Sequence, residues 1–304
     1  MGWPMKHVVS VVDVGEDIAD VLETARRERG ARLDLMAGRT LALLFEKPSL
    51  RTRVSFEMAM RHLGGGSLYL SPAEVQMGVR EPVRDVAKVL SGYVDLVAYR
   101  GFTHAATVEL ARFSSIPVIN ALDDTEHPCQ ALADLLTILD AKGSFEGRKL
   151  AFVGDGNNVC NSLLLASPFV GLDIAVATPA SYGPRAAVLD RARGLARDRG
   201  TSIEVTTNPD DAVEGADAVY TDTWVSMGDE EEKAARLRAF RPYQVDDRLM
   251  DRAKRDAVFM HCLPAHRDLE VTADVIDGPR SVVYAQSENR MHAQKALIMH
   301  IAGD

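Results

Sequence analysis

Two α/β domains, each with a central parallel sheet flanked by helices, are what three observations in this sequence predict. First, 304 residues with 46% hydrophobic and 26% charged composition can bury a sizeable core, and at roughly 150 residues per domain the length divides in two. Second, short continuous apolar runs alternate with stretches of helical period, the rhythm of βαβ units. Third, that rhythm occurs twice, on either side of a long helical segment.

The first series opens at Leu41 to Phe45, an unbroken apolar run that reads as a buried strand. Phe56, Ala59, Met60 and Leu63 then recur at i, i+3, i+4 and i+7, and Gly64 to Gly66 stop that helix. Strands at Val94 to Tyr99 and Ile116 to Ile119 alternate with helices at Val83 to Leu90 and Val108 to Phe113. From His127 a helical pattern runs through Leu132, Leu135, Leu136 and Leu139 to about Gly143, and the domain boundary is expected on it. Strands of the second series are expected at Lys149 to Val153, Asp173 to Ala177, Ile203 to Thr206, Ala218 to Tyr220, Ala257 to Met260 and Ser281 to Tyr284. A last helix, Met291 to Ile301, would fold back on the first half. The expected division is thus residues 1–135, completed by 287–304, and residues 136–286. Charge-rich stretches at Arg185 to Arg199 and Asp229 to Arg241 read as solvated helix faces or a mobile loop.

Composition excludes several function classes. Acidic residues outnumber basic ones 44 to 35, a net charge of −9, so no global positive field draws in nucleic acid. Cys129, Cys160 and Cys262 are odd in number, far apart and without C-x-x-C spacing, which predicts a reducing cytoplasm and neither disulfides nor a zinc ribbon. No basic segment leads into an apolar export signal and no apolar stretch approaches 18 residues, so neither export nor membrane spanning is expected. Myristoylation at Gly2 is disfavoured by Lys6, where Ser or Thr is wanted.

Six segments carry candidate chemistry, and each falls where ligands of α/β folds bind, at strand carboxyl ends or helix starts. Glu46-Lys47-Pro48-Ser49-Leu50-Arg51-Thr52-Arg53 places two hydroxyls and two guanidiniums at a helix start, either a phosphate cradle or an N-cap with surface arginines. His127-Pro128-Cys129-Gln130 can polarise a carbonyl and hold an amide, or simply cap a helix. Gly154-Asp155-Gly156-Asn157-Asn158 opens like a dinucleotide fingerprint, yet Val159 occupies the third glycine position and no acidic residue ends the next strand. A tight turn or two asparagines binding a polar substrate are the remaining readings there. Asp222-Thr223-Trp224-Val225-Ser226-Met227-Gly228 suits an ammonium group on an aliphatic stem, or forms a surface loop anchored by the tryptophan. His261-Cys262-Leu263-Pro264-Ala265-His266-Arg267 allows a nucleophilic cysteine beside a histidine or an inert buried one, and offers no adequate metal spacing. Glu288-Asn289-Arg290-Met291-His292 opens the final helix with a further cation.

Taken together, F-E-K-P-S-L-R-T-R (45–53), H-P-C-Q-A-L-A-D (127–134), G-D-G-N-N (154–158), D-T-W-V-S-M-G (222–228), H-C-L-P-A-H-R (261–267) and E-N-R-M-H-A-Q-K (288–295) closely resemble the ornithine carbamoyltransferases of the aspartate/ornithine carbamoyltransferase superfamily, in the family's order and over nearly the whole chain. The resemblance implies two α/β domains joined by bridging helices, one for carbamoyl phosphate and one for the amino acid, in cytoplasmic homotrimers or assemblies of trimers with shared active sites. It implies that carbamoyl is transferred to the δ-amine of L-ornithine, giving L-citrulline and phosphate in arginine or urea-cycle-type metabolism, with no cofactor or metal.

By the same resemblance Ser49, Leu50, Arg51 and Thr52 hold the phosphate, with Arg51 and Arg100 as its main cationic partners and Arg290 completing the anion site. Gln76, in Val75-Gln76-Met77-Gly78, looks like the glutamine donated from a neighbouring subunit. Thr52, Arg100 and His127 would polarise the carbamoyl oxygen, while Gln130 and the Leu263 carbonyl hold its NH2. Asn158, Asp222, Ser226 and Met227 look like the ornithine contacts, with Asp222 and Cys262 nearest the reacting amine. Cys262 is assigned to positioning and proton handling rather than covalent attack. The family form is S-T-R-T, so Leu50 is a departure that matters only if that position binds phosphate through its side chain.

Three rivals are weighed. An aspartate acceptor would need further cations facing its second carboxylate, whereas this loop offers Asp222 and Met227; the acylated α-amine of N-acetylornithine or the missing α-carboxylate of putrescine would be expected to alter the Ser-Met-Gly loop or the asparagine turn, and lysine differs from ornithine by one methylene, a difference the sequence does not encode legibly. A nicotinamide oxidoreductase lacks its third glycine and ribose carboxylate. A silent regulatory member is disfavoured because every side chain carried over from the family's motifs is present.

Overall fold

The structure is a computed structural model that describes residues 7–225 and 230–303. The chain divides into two compact units, one built from the segment up to Leu136 together with that from Glu288 onward, the other from Thr137–Ser287.

The first unit holds a four-stranded, all-parallel sheet of β1 (Thr40–Phe45), β2 (Gly66–Leu70), β3 (Leu96–Arg100) and β4 (Val118–Leu122), in the order β2-β1-β3-β4. β1 and β3 are inner strands covered on both faces, which is why they read as unbroken apolar runs; Leu41 through Phe45 and Leu96 through Tyr99 are fully buried. The helices Leu50–His62 and His104–Phe113 follow β1 and β3. Because the chain leaves β1 toward β2 on one side and leaves β3 toward β4 on the other, their following loops part at a topological switch point, where α/β folds bind ligands.

β2 is a strand that the apolar pattern does not announce. It starts on the last glycine of Gly64 to Gly66 and forms the sheet edge, with Gly66, Ser67 and Leu68 exposed, so one flank of pairing with β1 defines it rather than burial.

The second unit holds β5 (Lys149–Val153), β6 (Asp173–Ala177), β7 (Ile203–Thr206), β8 (Ala218–Thr221) and β9 (Val258–His261), all parallel, in the order β7-β6-β5-β8-β9. Its switch point lies between β5 and β8. The expected strand at Ser281 to Tyr284 is corrected: Ser281 makes a single bridge beside β9, Val282 N–H donates to the Phe259 carbonyl, and the chain enters a helix at Val283. Val282 and Val283 are too short an apolar run to hold a strand against a helix that extends Val283–Ala302, well before the expected start at Met291. The helix Pro128–Lys142 carries the division between the units. No helix among the described residues is long and apolar enough to cross a membrane.

Candidate active site

Each unit presents a cluster of polar side chains at its own switch point. In the first unit Ser49 caps the helix Leu50–His62: its Oγ accepts the Thr52 N–H at 3.3 Å, and its hydroxyl donates to Thr52 Oγ1 at 3.0 Å. The remaining first-turn N–H groups and the positive end of the helix dipole therefore face the loop after β1. Thr52 is wholly buried, and its Oγ1 also accepts from Arg290 Nη2 at 2.7 Å, tying the helix start to the final helix. Arg51 is half-buried, whereas the Leu50 side chain is 76% exposed, which leaves only its backbone to act at the helix start.

Arg100 is the last residue of β3 and is buried, as are His127 and Arg290. Burial first, then the positive charges of Arg290 and Arg100, hold His127 well below the ordinary imidazole value. His127 is thus a neutral group in a cationic site, able to polarise a carbonyl oxygen without adding a further positive charge. The loop that carries it is organised by Asp123, which is fully buried. The Asp123 carboxylate accepts from Asn120 Nδ2 and Thr107 Oγ1, pairs with His104 Nδ1 at 2.8 Å, and accepts the backbone N–H groups of Thr125 and Glu126.

Gln130 lies in the first turn of the next helix. Its Nε2 donates to Asp134 Oδ1 at 2.8 Å, which fixes the amide orientation and leaves buried Oε1 with no protein donor among the described residues. A lone buried acceptor of that kind matches an incoming NH2 group. Neighbouring Cys129 is inert by contrast, because burial pushes its thiol up to about 12. Gln76 is exposed, with φ of 44°, at the end of the short helix Pro72–Val75; its carbonyl accepts the N–H groups of Val79 and Arg80.

In the second unit the cluster centres on buried Asp222, just past β8. Oδ2 accepts from Asn157 Nδ2 at 2.7 Å, and Oδ1 accepts from the Cys262 thiol at 3.0 Å and from the Thr223 N–H at 2.7 Å. Asn157 also caps the helix Asn158–Ala166 through Oδ1, so of the two asparagines it is the one that positions Asp222. Asn158 is half-buried at the first position of that helix. Gly156 has no room for a side chain, since a Cβ would stand 2.2 Å from Pro184 N. Ser226 and Met227 lie outside the described residues.

Asp222, His261 and Cys262 bring three potential metal ligands within 4.8 Å of one another. Part of this group forms a hydrogen-bond set: Cys262 donates to Asp222, and His261 Nδ1 accepts the Leu263 N–H at 2.8 Å. Leu263 itself sits at φ 58°, in the left-handed region, on the turn that follows β9. Arg267, in the same segment, is spent on a two-point ion pair with Asp277 at the surface.

Three residues that shape these clusters receive no role from the sequence pattern, although Glu46 opens the first candidate segment. Glu46 and Tyr99 link the loops after β1 and β3 in the first unit. Arg236, inside the stretch read as a solvated face, is instead buried; it pairs with Asp155 at 3.1 Å and donates to the Trp224 carbonyl, fastening the turn after β5 to the loop after β8. A charged residue directly after an apolar strand run is the signal for Glu46, while nothing in the local pattern separates Arg236 from its exposed neighbours.

The two units correspond to two family descriptions. Residues 6–140 match the aspartate/ornithine carbamoyltransferase carbamoyl-P binding domain, and residues 146–301 match its Asp/Orn binding domain. The chain is 51% identical to an ornithine carbamoyltransferase of Methanothermobacter thermautotrophicus, over 99% of this chain and all of that one. It is 50% identical to the ornithine carbamoyltransferase of Methanobrevibacter smithii, over 97% and 99% of the two chains. The solved ornithine carbamoyltransferase from Pyrococcus furiosus superposes with a TM-score of 0.95 at 46% identity, covering 100% of this chain and 99% of that one. Sheet orders, switch-point clusters and full-length similarity therefore agree: the chain belongs to the aspartate/ornithine carbamoyltransferase family.

Proposed function

We propose that the chain transfers the carbamoyl group of carbamoyl phosphate to the δ-amine of L-ornithine, forming L-citrulline and phosphate. The observation that carries this reading is the opposite charge of the two clusters. The first offers two buried guanidiniums, a neutral imidazole and a helix start to a dianionic acyl phosphate; the second offers one buried carboxylate to an aminoalkyl chain.

In this reading residues 1–135 with 287–304 bind carbamoyl phosphate and residues 136–286 bind ornithine. Ser49, Leu50, Arg51 and Thr52 take the phosphate, the first-turn N–H groups and Arg51, Arg100 and Arg290 supplying its counter-charge. Thr52, Arg100 and His127 donate to the carbamoyl oxygen, where negative charge develops, and Gln130 Oε1 and the Leu263 carbonyl accept from its NH2. Asn158, Asp222, Ser226 and Met227 hold ornithine. An alkyl ammonium loses its proton only near pH ~10 in water, and only the neutral amine attacks, so Asp222 and Cys262 hold the acceptor and handle that proton. The amine nitrogen bonds to the carbamoyl carbon, the tetrahedral intermediate breaks its C–O bond to phosphate, and the surplus amine proton passes to the departing phosphate. Every step is acid, base and charge chemistry, so the reading calls for no cofactor. The thiol stands as a hydrogen-bond donor to Asp222, which suits proton handling rather than nucleophilic attack.

The active unit in this reading is a cytoplasmic homotrimer, or an assembly of trimers, in which Gln76 serves the site of the neighbouring subunit; its exposed position on a tight turn suits that use. The test is steady-state turnover of carbamoyl phosphate with ornithine, aspartate, N-acetylornithine, putrescine and lysine, scoring ureido product and phosphate together. Citrulline formation with ornithine strongly preferred is the expected result, and preference for any other acceptor overturns it.

A further inference from the structure

The anion cluster of the first unit draws its parts from two loops that diverge at the sheet's switch point, so something must set the distance between the helix start at Ser49 and the guanidinium of Arg100. The parallel ladder of β1 against β3 runs in register only to its last pair, Phe45 with Arg100, and beyond that pair the two loops need a tie of their own. Glu46, the first residue after β1, spans the gap. Its N–H donates to the Arg100 carbonyl at 2.9 Å. Its Oε2 accepts both the Tyr99 hydroxyl, at 2.6 Å, and the Phe102 N–H, at 3.0 Å. One carboxylate oxygen thus holds the residue before Arg100 and the residue two beyond Gly101's neighbour on the strand side, bracketing Arg100 in sequence.

Two neighbouring features belong to the same device. The Tyr99 ring lies so close to the backbone of Gly101 that a Cβ there would stand 2.4 Å from it, so glycine is what lets the tyrosine reach Glu46. Next along both loops, Lys47 Nζ sits 4.7 Å from the centre of the Phe102 ring.

We infer that Glu46, through Tyr99 and the Phe102 amide, is a positioning residue for the phosphate site: it fixes Arg100 relative to the Ser49 to Thr52 helix start without touching substrate. The inference rests on the carbamoyl phosphate reading of that cluster. Small misplacements of binding groups cost large factors in affinity and rate, so the clamp should be visible as a defect confined to one substrate.

The experiment uses the full-length chain with Glu46→Ala, Glu46→Gln, Tyr99→Phe and the Glu46→Ala/Tyr99→Phe double variant, measuring KM for each substrate and, independently of turnover, calorimetric binding of inorganic phosphate. Glu46→Ala should raise KM for carbamoyl phosphate and Kd for phosphate about tenfold while KM for ornithine stays within about twofold. Because a single oxygen accepts both bonds, the glutamine carbonyl can replace it, and Glu46→Gln should restore most of the affinity. Tyr99→Phe should show a smaller defect of the same kind, and the double variant should be no worse than Glu46→Ala. Equal losses in Glu46→Ala and Glu46→Gln, additive losses in the double variant, or a rise in KM for both substrates together would overturn the inference. Should Glu46→Ala fail to fold, the Tyr99→Phe and Glu46→Gln results decide by the same criteria. Wild-type citrulline formation, measured alongside, separates failure of the clamp from failure of the functional reading.

Discussion

At the scale of single residues, the departure at Leu50 resolves into backbone against side chain. A helix-start anion site works through N–H groups that any residue supplies, and the Leu50 side chain is 76% exposed on the first helical residue after the Ser49 cap. Leu50→Thr should therefore change KM for carbamoyl phosphate by less than about threefold, well under one charge-assisted hydrogen bond. A tenfold fall in that KM would show instead that a hydroxyl at this position binds phosphate. Much of the cluster chemistry is legible at this scale, because Ser49, Thr52, Arg51, His127 and Gln130 stand in short segments whose residue types already state a purpose. The supporting residues are not. The sequence leaves Asn157 open between a tight turn and a substrate contact, and in the fold it caps a helix and steadies Asp222; Arg236 hides among exposed charges because only the tertiary fold reveals its burial.

The elements themselves were readable where both faces of a strand are covered, as in β1, β3 and β5, since continuous burial leaves a continuous apolar run. β2 escaped because an edge strand needs neither alternation nor apolar continuity, and the expected strand after Arg280 failed because a two-valine run lost to a twenty-residue helix. The loop between β4 and the helix Pro128–Lys142 owes its shape to Asp123, and one of that carboxylate's partners titrates. The hydrogen bond that His104 donates to Asp123 chiefly, aided by surrounding acidic charge, raises the pKa of His104 above its ordinary value of 6.5 despite partial burial. A raised folded value means that protonation favours the folded state. The stabilisation is complete below the unfolded value, near pH 6.5, and fades as pH climbs through the folded value. His104→Gln should thus lower the midpoint of thermal unfolding by a few degrees at pH 5.5 and by much less at pH 8.5. A gap between wild type and variant that widened with rising pH would contradict this assignment of the bond.

For the whole molecule the question is where one functional unit ends. Gln76 is exposed on a tight turn of the first unit, close in sequence to Val79, whose side chain is almost fully exposed; an apolar residue left so open suits a surface that a second copy covers. If Gln76 serves the neighbouring subunit's site, each site is a composite of one chain's His127 and another chain's Gln76, and two inactive variants can repair each other. Gln76→Ala keeps His127 intact, and His127→Ala keeps Gln76 intact. When the two are mixed, dissociated and reassembled in equal amounts, random cyclic assembly pairs an intact His127 with an intact neighbouring Gln76 at about one site in four. Activity should therefore recover to roughly a quarter of the wild-type value, limited by how completely the copies exchange, while each variant alone stays nearly inactive. A Gln76 acting within its own subunit predicts the opposite: every chain in the mixture would then carry one broken half of its own site, and no ratio or reassembly time would restore turnover. Because both variants carry a single substitution and both are measured before mixing, recovery has no source other than a site shared between chains.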